Sequence, residues 1–419
     1  MKAICISAIS SNSGKTILTT ALLYHYKKSV QPFKIGPDFI DTQFHKQITN
    51  TPSINLDSFM MDNDQVRWIY QHYSTKDISI VEGVMGFYDG DDKGCSAYSI
   101  TKLLDIPTIM LLDGSGSYIT VVAVLKGLKE FKSNNTIKAV VLNKLSSKMH
   151  FELIKKHILE EFDDIVVLGW IEKDLPILQD THLGLDLASL DDIENISKEV
   201  LRYIDIEQLD KISNTKDIKK IDYPFERLGK NDKTIAIVTD KNFSFLYYDN
   251  YIFLKEIFKS VILIDSTKDE EIPQDTDMVY IVGGYVETTQ HYDNIKDSNN
   301  FKKSLQIHSQ TKPIYAECAG LLYLSNKVDD KLMSGILDLD FILKDKRVRL
   351  GYYYNEKNIK GHSFHYTKPI DDKDGFCILS KKQNGKGEVG SWQKAKVYGT
   401  YLHIFLRNNT KVIKEYFGI

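Results

Sequence analysis

The stretch KPIYAECAGLLYL, Lys312 to Leu324, runs from an apolar β-like segment through a cysteine and two small residues into an apolar helical start. A strand that turns directly into a helix places Cys318 at the helix N-terminus. Free N–H groups and the helix dipole there favour the thiolate, which is the nucleophilic form. A second strand-to-helix junction lies far upstream in SSNSGKT, Ser10 to Thr16. It reads as a loop for a nucleoside triphosphate. One half of the chain is thus suited to handling phosphates and the other to attacking a carbonyl.

Outward from these two junctions, the first half alternates apolar β-like runs with amphipathic helical stretches. The candidate strands are Ala3–Ala8, Ile78–Glu82, Thr108–Leu112, Ala139–Leu142 and Ile165–Leu168, with helices such as Ile17–Tyr26 and Phe151–Phe162 between them. This alternation predicts an α/β fold with a doubly wound, mainly parallel sheet. The pattern breaks from about Asp205 to Asp232 into a charged stretch with little core, which reads as a connection. It restarts at Thr234 with TIAIVTD, VILIDS, MVYIVGGY and PIYAEC, a second α/β unit. Its tail, from about Arg347, is rich in Tyr, Gly and short β-like runs. The expected organisation is a phosphate-loop domain over 1–204, a linker over 205–232 and a second domain over 233–419.

Composition narrows the class. The 419 residues suffice for two or three domains, and 42% hydrophobic with 26% charged residues is the balance of a soluble globular chain. A net charge of −3 gives no footprint for nucleic acid. No run approaches the ~18 apolar residues of a membrane span, and the N-terminal run leads straight into the phosphate loop rather than to a signal-peptide cleavage site. Cys5, Cys95, Cys318 and Cys377 are widely spaced with no CxxC pair. That fits a reducing cytoplasm and argues against disulfides or a cysteine zinc site.

In the phosphate loop, backbone N–H groups of Ser13 and Gly14 would cradle phosphates, Lys15 would neutralise their charge and Thr16 would bind Mg²⁺. The usual pattern has Gly where Ile9 stands, so the match is partial. In QPFKIGPDFIDTQFH, Gln31 to His45, a Gly-Pro turn presents Asp38 and Asp41 just after Lys34; these could meet a metal, a polar substrate or only water. IVEGVMGFYDG puts Glu82 at the end of a buried-type strand, where doubly wound sheets bind ligands; its carboxylate is a natural Mg²⁺ ligand, with Asp89 shortly after and, like Lys34, Asp38 and Asp41, expected near substrate, the alternative being a capping or turn acid. Asn143 ends another strand and either reads a base or caps a turn.

In the second half, Cys318 needs a base, and His403 in VYGTYLHIFL ends a late β-like run. A Cys and a distant His that meet in the fold can carry out thiol acyl transfer on a carboxamide. The negative oxygen that forms needs backbone donors. Ala319 would give one and the Gly283-Gly284 turn, at Gly284, the other. His362 and His365 in GHSFHYT compete with His403, but no third ligand makes them a metal pair, and a structural or substrate-facing role suits them better.

Taken together, SGKT at 13 to 16, PFKIGPDFID at 32 to 41, LDSFMM at 56 to 61, VEGVMGFYDG at 81 to 90, VGGYVE at 282 to 287, YAECAGLLYL at 315 to 324, GHSFHYT at 361 to 367 and YLHIF at 401 to 405 resemble the cobyrinic acid a,c-diamide synthase family nearly end to end. The resemblance implies an ATP-dependent synthetase domain akin to dethiobiotin synthetase, followed by a class I glutaminase-like domain. It implies ATP, Mg²⁺, glutamine and a corrin-type tetrapyrrole as reactants, with carboxylates a and c activated as acyl phosphates and then amidated by ammonia released at Cys318. An internal passage for that ammonia is expected, because water would destroy the acyl phosphate. Relatives acting on hydrogenobyrinic acid or nickel-sirohydrochlorin share the pattern, and a monomer or a homodimer suits a chain of this size. A nucleotide-switched binding protein with a retired glutaminase domain is the competing class. Class I glutaminases carry Glu two residues after the histidine; here Phe405 stands there, so a Cys–His dyad is expected. Ala8 and Asn12 occupy loop places where relatives often have Gly, and Asn tolerates positive φ better than most residues.

Overall fold

Seven strands form the first sheet: β1 Lys2–Ala8, β2 Val30–Ile35, β3 Ile54–Leu56, β4 Ile78–Glu82, β5 Thr108–Asp113, β6 Ile137–Leu145 and β7 Val166–Glu172. Their order is β3-β2-β4-β1-β5-β6-β7, and every pairing is parallel. Helices cover both faces of such a sheet, so its strands are apolar throughout instead of alternating. β4 is buried at all five positions. Carboxyl ends of β1, β4 and β5 lie side by side, and the chain leaves β1 between two neighbours that come later in sequence. That is the switch point at which open α/β sheets bind ligands. The computed structural model describes residues 2–419 apart from 174, 176–179, 182–183, 186–189, 216–218 and 372–374.

Two strands have no counterpart in the sequence reading. β2 contains Pro32 and Lys34, which disguise it, yet all six of its residues are buried. Its pairing with β3 begins at Phe33, one residue past the proline. β3 is only three residues long.

A second sheet is built from β8 Thr234–Val238, β9 Ser260–Ile264, β10 Met278–Ile281, β11 Ile314–Glu317, β12 Gly375–Leu379, β13 Glu388–Lys394 and β14 Val397–Thr400. The order is β9-β8-β10-β11-β14-β13-β12. Pairings are parallel as far as β14 and antiparallel for the last two strands. A hairpin of Arg349–Tyr354 and Lys360–His365 lies outside this sheet.

The chain divides into two compact units between Pro224 and Phe225. The charged stretch expected as a linker over 205–232 is therefore shared out. Its start forms the helix Ile206–Ile212, with Leu209 buried and the Ser213 carbonyl accepting from the Ala3 N–H at 2.8 Å. Leu209 supplies the apolar anchor that the charge density concealed. Residues 216–218 of that stretch lie outside the described residues. Among the described residues no helix is long and apolar enough to cross a membrane.

Candidate active site

In the first unit, β1 hands over to helix α1, Lys15–His25, through the phosphate loop. The loop turns on two left-handed residues, Asn12 at φ 59° and Gly14 at φ 93°. Asn12 thus takes the conformation for which glycine is usual. A Cβ at Gly14 would meet Asn143 Nδ2 at 2.6 Å. Asn143 is the loop's buttress: its Nδ2 donates to the Ser13 carbonyl at 3.0 Å, and its Oδ1 accepts from the Lys144 N–H at 2.9 Å. Both ends of the amide are engaged with backbone, each with one further donor or acceptor position in hand.

Lys15 Nζ donates to the carbonyls of Ser10, at 2.8 Å, and Met85, at 2.6 Å. Burial lowers its pKa, and the neighbouring Lys34 charge lowers it further. An arriving phosphate would relieve both effects. Thr16 Oγ1 donates to Glu82 Oε1 at 2.9 Å.

Glu82 is fully buried at the end of β4. Lys34 Nζ lies 3.2 Å from its Oε1, and His45 Nε2 lies 2.7 Å from its Oε2. Burial alone would raise this carboxyl, but Lys34, His45 and Thr16 together hold it down at about 2. Lys34 also pairs with Asp41, and more distantly with Asp38 at 3.9 Å. Three carboxylates thus surround one buried ammonium, which stays charged. Burial, and the negative charges of Glu82 and Asp38, push Asp41 up to about 7 despite the opposing pull of Lys34.

Among the described residues no group of three His, Cys, Asp or Glu converges as a ready-made metal cage. Mg²⁺ does not need one, since it is usually bound by one or two protein oxygens, with phosphate and water supplying the rest. Thr16 Oγ1 and the ionised Glu82 fit that pattern. Asp41, expected on the metal, instead contacts the Lys34 ammonium, because β2 brings that lysine to the same edge. Asp38 accepts the N–H groups of Ile40 and Asp41, both at 2.9 Å, and so caps helix α2, Ile40–Thr49. Asp89, expected near substrate, accepts the Gly86 N–H at 2.8 Å and closes a turn.

In the second unit, Cys318 ends β11 and opens the helix Ala319–Leu324 with φ 47° and ψ −105°. Its N–H donates to the Thr400 carbonyl at 2.7 Å, and its own carbonyl accepts from Leu322 at 3.0 Å. The side chain is buried, with Sγ 3.9 Å from the Phe364 carbonyl. Burial, with the Glu287 carboxylate adding to it, pushes the thiol well above its usual range. Burial thus works against the thiolate that the helix N-terminus was expected to favour. The helix it opens is only six residues long. The backbone N–H groups of Ala319 and Gly284 act on the sulfur in the opposite sense.

His403 is 1% exposed. Its backbone N–H and carbonyl pair with His362 at 2.8 and 2.9 Å. The imidazole lies on Gly283, where any Cβ would strike Cε1. Nδ1 is 3.3 Å from Glu317 Oε2. The dyad expected from Phe405 is thus incomplete: the imidazole has a carboxylate partner, supplied by the residue just before Cys318. A Cβ at Gly284 would run into the Asn242 carbonyl, so both glycines of the turn are required sterically. His362 and His365 lie on the hairpin strand Lys360–His365. Burial holds both near pKa 3. The His365 ring stacks on Tyr401 with centroids 3.6 Å apart, and its Nδ1 is 2.9 Å from the Thr367 carbonyl.

Sequence reasoning missed His45 and Glu317. His45 was discoverable, because it lies one helical turn after Asp41 on α2 and shares its face. Glu317 carried no such signal, since its partner is 86 positions away.

Both halves match known proteins. Residues 4–182 fit the family described as the CobQ/CobB/MinD/ParA nucleotide binding domain, and residues 234–411 fit the CobB/CobQ-like glutamine amidotransferase domain. Cobyrinate a,c-diamide synthase of Listeria monocytogenes is 33% identical over 452 aligned residues, spanning 100% of this chain and 99% of the relative. The enzyme of that name from Saccharolobus solfataricus is 34% identical, spanning 97% and 98%. That from Methanocaldococcus jannaschii is 32% identical, spanning 100% and 98%. With likeness of this degree along the full length of both partners, the chain belongs to the cobyrinate a,c-diamide synthase family of glutamine-dependent amide ligases.

Proposed function

We propose that this enzyme converts the a and c carboxylates of cobyrinate to carboxamides, using ATP and glutamine. Lys15, with Ser13 and Gly14 backbone groups, binds the triphosphate. Thr16 and Glu82 hold Mg²⁺, which supplies neutralising charge at the phosphates. Lys34 steadies the carboxylates beside the reacting centre. A substrate carboxylate oxygen attacks the γ-phosphorus, the bond to the ADP oxygen breaks, and an acyl phosphate results. Ammonia then adds to that carbonyl carbon and phosphate leaves.

The ammonia arises at Cys318. His403 takes the thiol proton as sulfur bonds to the glutamine carboxamide carbon, then returns it to the departing nitrogen. Glu317 keeps Nδ1 protonated and the ring aimed. The N–H groups of Ala319 and Gly284 receive the negative oxygen. Water then splits the thioester to glutamate. A thiol kept neutral until substrate arrives is protected from idle oxidation.

The observation that best supports this reading is the left-handed backbone of Cys318, with the Ala319 and Gly284 N–H groups acting on its sulfur; His403, on the continuation of the neighbouring strand, is held by the carboxylate of Glu317, the residue before that cysteine. A retired glutaminase domain has no need of that strain. The test is high-resolution mass spectrometry of cobyrinate after incubation with ATP and glutamine, for wild type and Cys318→Ala. Two amidations by wild type are expected, with the variant active only when an ammonium salt replaces glutamine. Glutamine consumption without cobyrinate amidation would transfer the assignment to hydrogenobyrinate or nickel-sirohydrochlorin. Consumption of neither ATP nor glutamine with any of the three would favour the nucleotide-switch reading.

A further inference from the structure

One buried acid near Cys318 has no part in the chemistry above. Glu287 is 9% exposed, and its Oε2 has no hydrogen-bond partner. Its own backbone N–H and the charge of Lys331 act on the carboxyl, but it forms no close ion pair among the described residues. A buried carboxyl left in that state costs free energy that a purely structural residue would not need to spend. It sits three residues beyond Gly284, on the loop whose N–H acts on the sulfur. Its charge is felt by both the Cys318 thiol and the buried Tyr401 phenol, so it faces the nucleophile's surroundings.

A carboxylate there does not assist attack, since it opposes thiolate formation. It does suit a cation delivered with the substrate. Glutamine carries one, the α-ammonium, a few bonds from the carboxamide that must reach Sγ. We propose that Glu287 is the receptor for the α-ammonium of glutamine. This assignment rests on the glutaminase reading and extends it to substrate selection. Until substrate arrives, burial pushes its pKa up to about 7, so a share of the carboxyl is protonated near neutral pH. As the ammonium docks, that proton leaves and an ion pair forms. The negative charge formed there is matched by the ammonium, so seating glutamine adds no net opposition to the thiolate.

The test compares glutamine with glutaramate, which keeps the carboxamide and the carbon chain but lacks the α-ammonium. Ammonia release is followed with ATP and cobyrinate present, for wild type, Glu287→Gln and Glu287→Asp. Wild type is expected to prefer glutamine by about 10- to 100-fold in kcat/KM, the range for a hydrogen bond to a charged group. Glu287→Gln should lose most of that preference through a raised KM for glutamine, while its use of glutaramate changes little. Glu287→Asp should retain part of it. Equal use of the two compounds by wild type would overturn the assignment without any variant being needed. So would a Glu287→Gln enzyme that discriminates as wild type does, or one that loses both substrates alike. Ammonia from neither compound with wild type would sink the glutaminase reading and this inference with it.

Discussion

Cys318 is held in a backbone conformation that costs roughly 1–3 kcal/mol for a residue with a side chain. It persists because the N–H is tied to Thr400 and the carbonyl to Leu322. The return is direction, since the elbow presents sulfur to the Ala319 and Gly284 N–H groups together. Glu287 is a second energetic burden in the same place. Its folded pKa of about 7 lies above the ordinary carboxylate value. Neutral Glu287 is therefore tolerated at low pH, and stability is lost as pH rises through about 7. The penalty at pH 8 is about 3 kcal/mol. Glu287→Gln should accordingly melt roughly 5–10 °C above wild type at pH 8 and level with it below about pH 4, under the ordinary carboxylate value. Differential scanning calorimetry at the two pH values measures this, and an equal gap at both would show that Glu287 does not titrate there.

At the scale of elements, His403 depends on its flanks. The helix Tyr248–Ile257 carries Asn250, fully buried, whose Nδ2 donates to the Ile404 carbonyl at 2.8 Å and whose Oδ1 accepts from the Leu406 N–H at 2.7 Å. One side chain thus clamps the backbone just after the imidazole. Asn250→Ala leaves two buried backbone groups unsatisfied, which should cost about 2–4 kcal/mol. Glutamine-dependent amidation should also fall further than the ammonium-dependent reaction; equal losses in the two assays would mean the clamp serves stability alone. On the other side of the ring, Gly283→Ala would drive a methyl into Cε1 and displace the imidazole from Glu317. A loss of 10²-fold or more in glutamine use is expected, the scale for a misplaced catalytic group, with the ammonium-dependent rate as the control.

At the scale of the whole molecule, each unit has its own apolar core and its own candidate site, so the two half-reactions should fail separately. Lys34 is the residue to probe in the first unit, because three carboxylates share its charge. Lys34→Met leaves Glu82 and Asp41 without that cation, and breaking such a buried pair costs about 3–5 kcal/mol. Guanidinium unfolding should show that loss. Amidation should vanish with ammonium as with glutamine, whereas Cys318→Ala abolishes only the glutamine route. If Lys34→Met kept ammonium-dependent amidation, the carboxylate cluster would lie outside the reacting centre.

The chain's α/β class, its phosphate loop and its cysteine elbow were legible in the sequence because each is written in contiguous residues whose local backbone follows from Gly, Ser, Lys and apolar spacing. β2 was not, since Pro32 and Lys34 broke its apolar signature while tertiary burial still made it a strand. The same limit separates the candidate site's parts from their relations. His403 was identifiable as a late strand-end histidine, but its pairing with Glu317 depends on β11 and β14 being neighbours in the sheet. Asn143 could be placed at a strand end, yet only packing against Gly14 made it a buttress. The burial that opposes the Cys318 thiolate could not be read from the helix N-terminus alone, because desolvation is a property of everything that surrounds a group, and that is decided only when distant segments close over it.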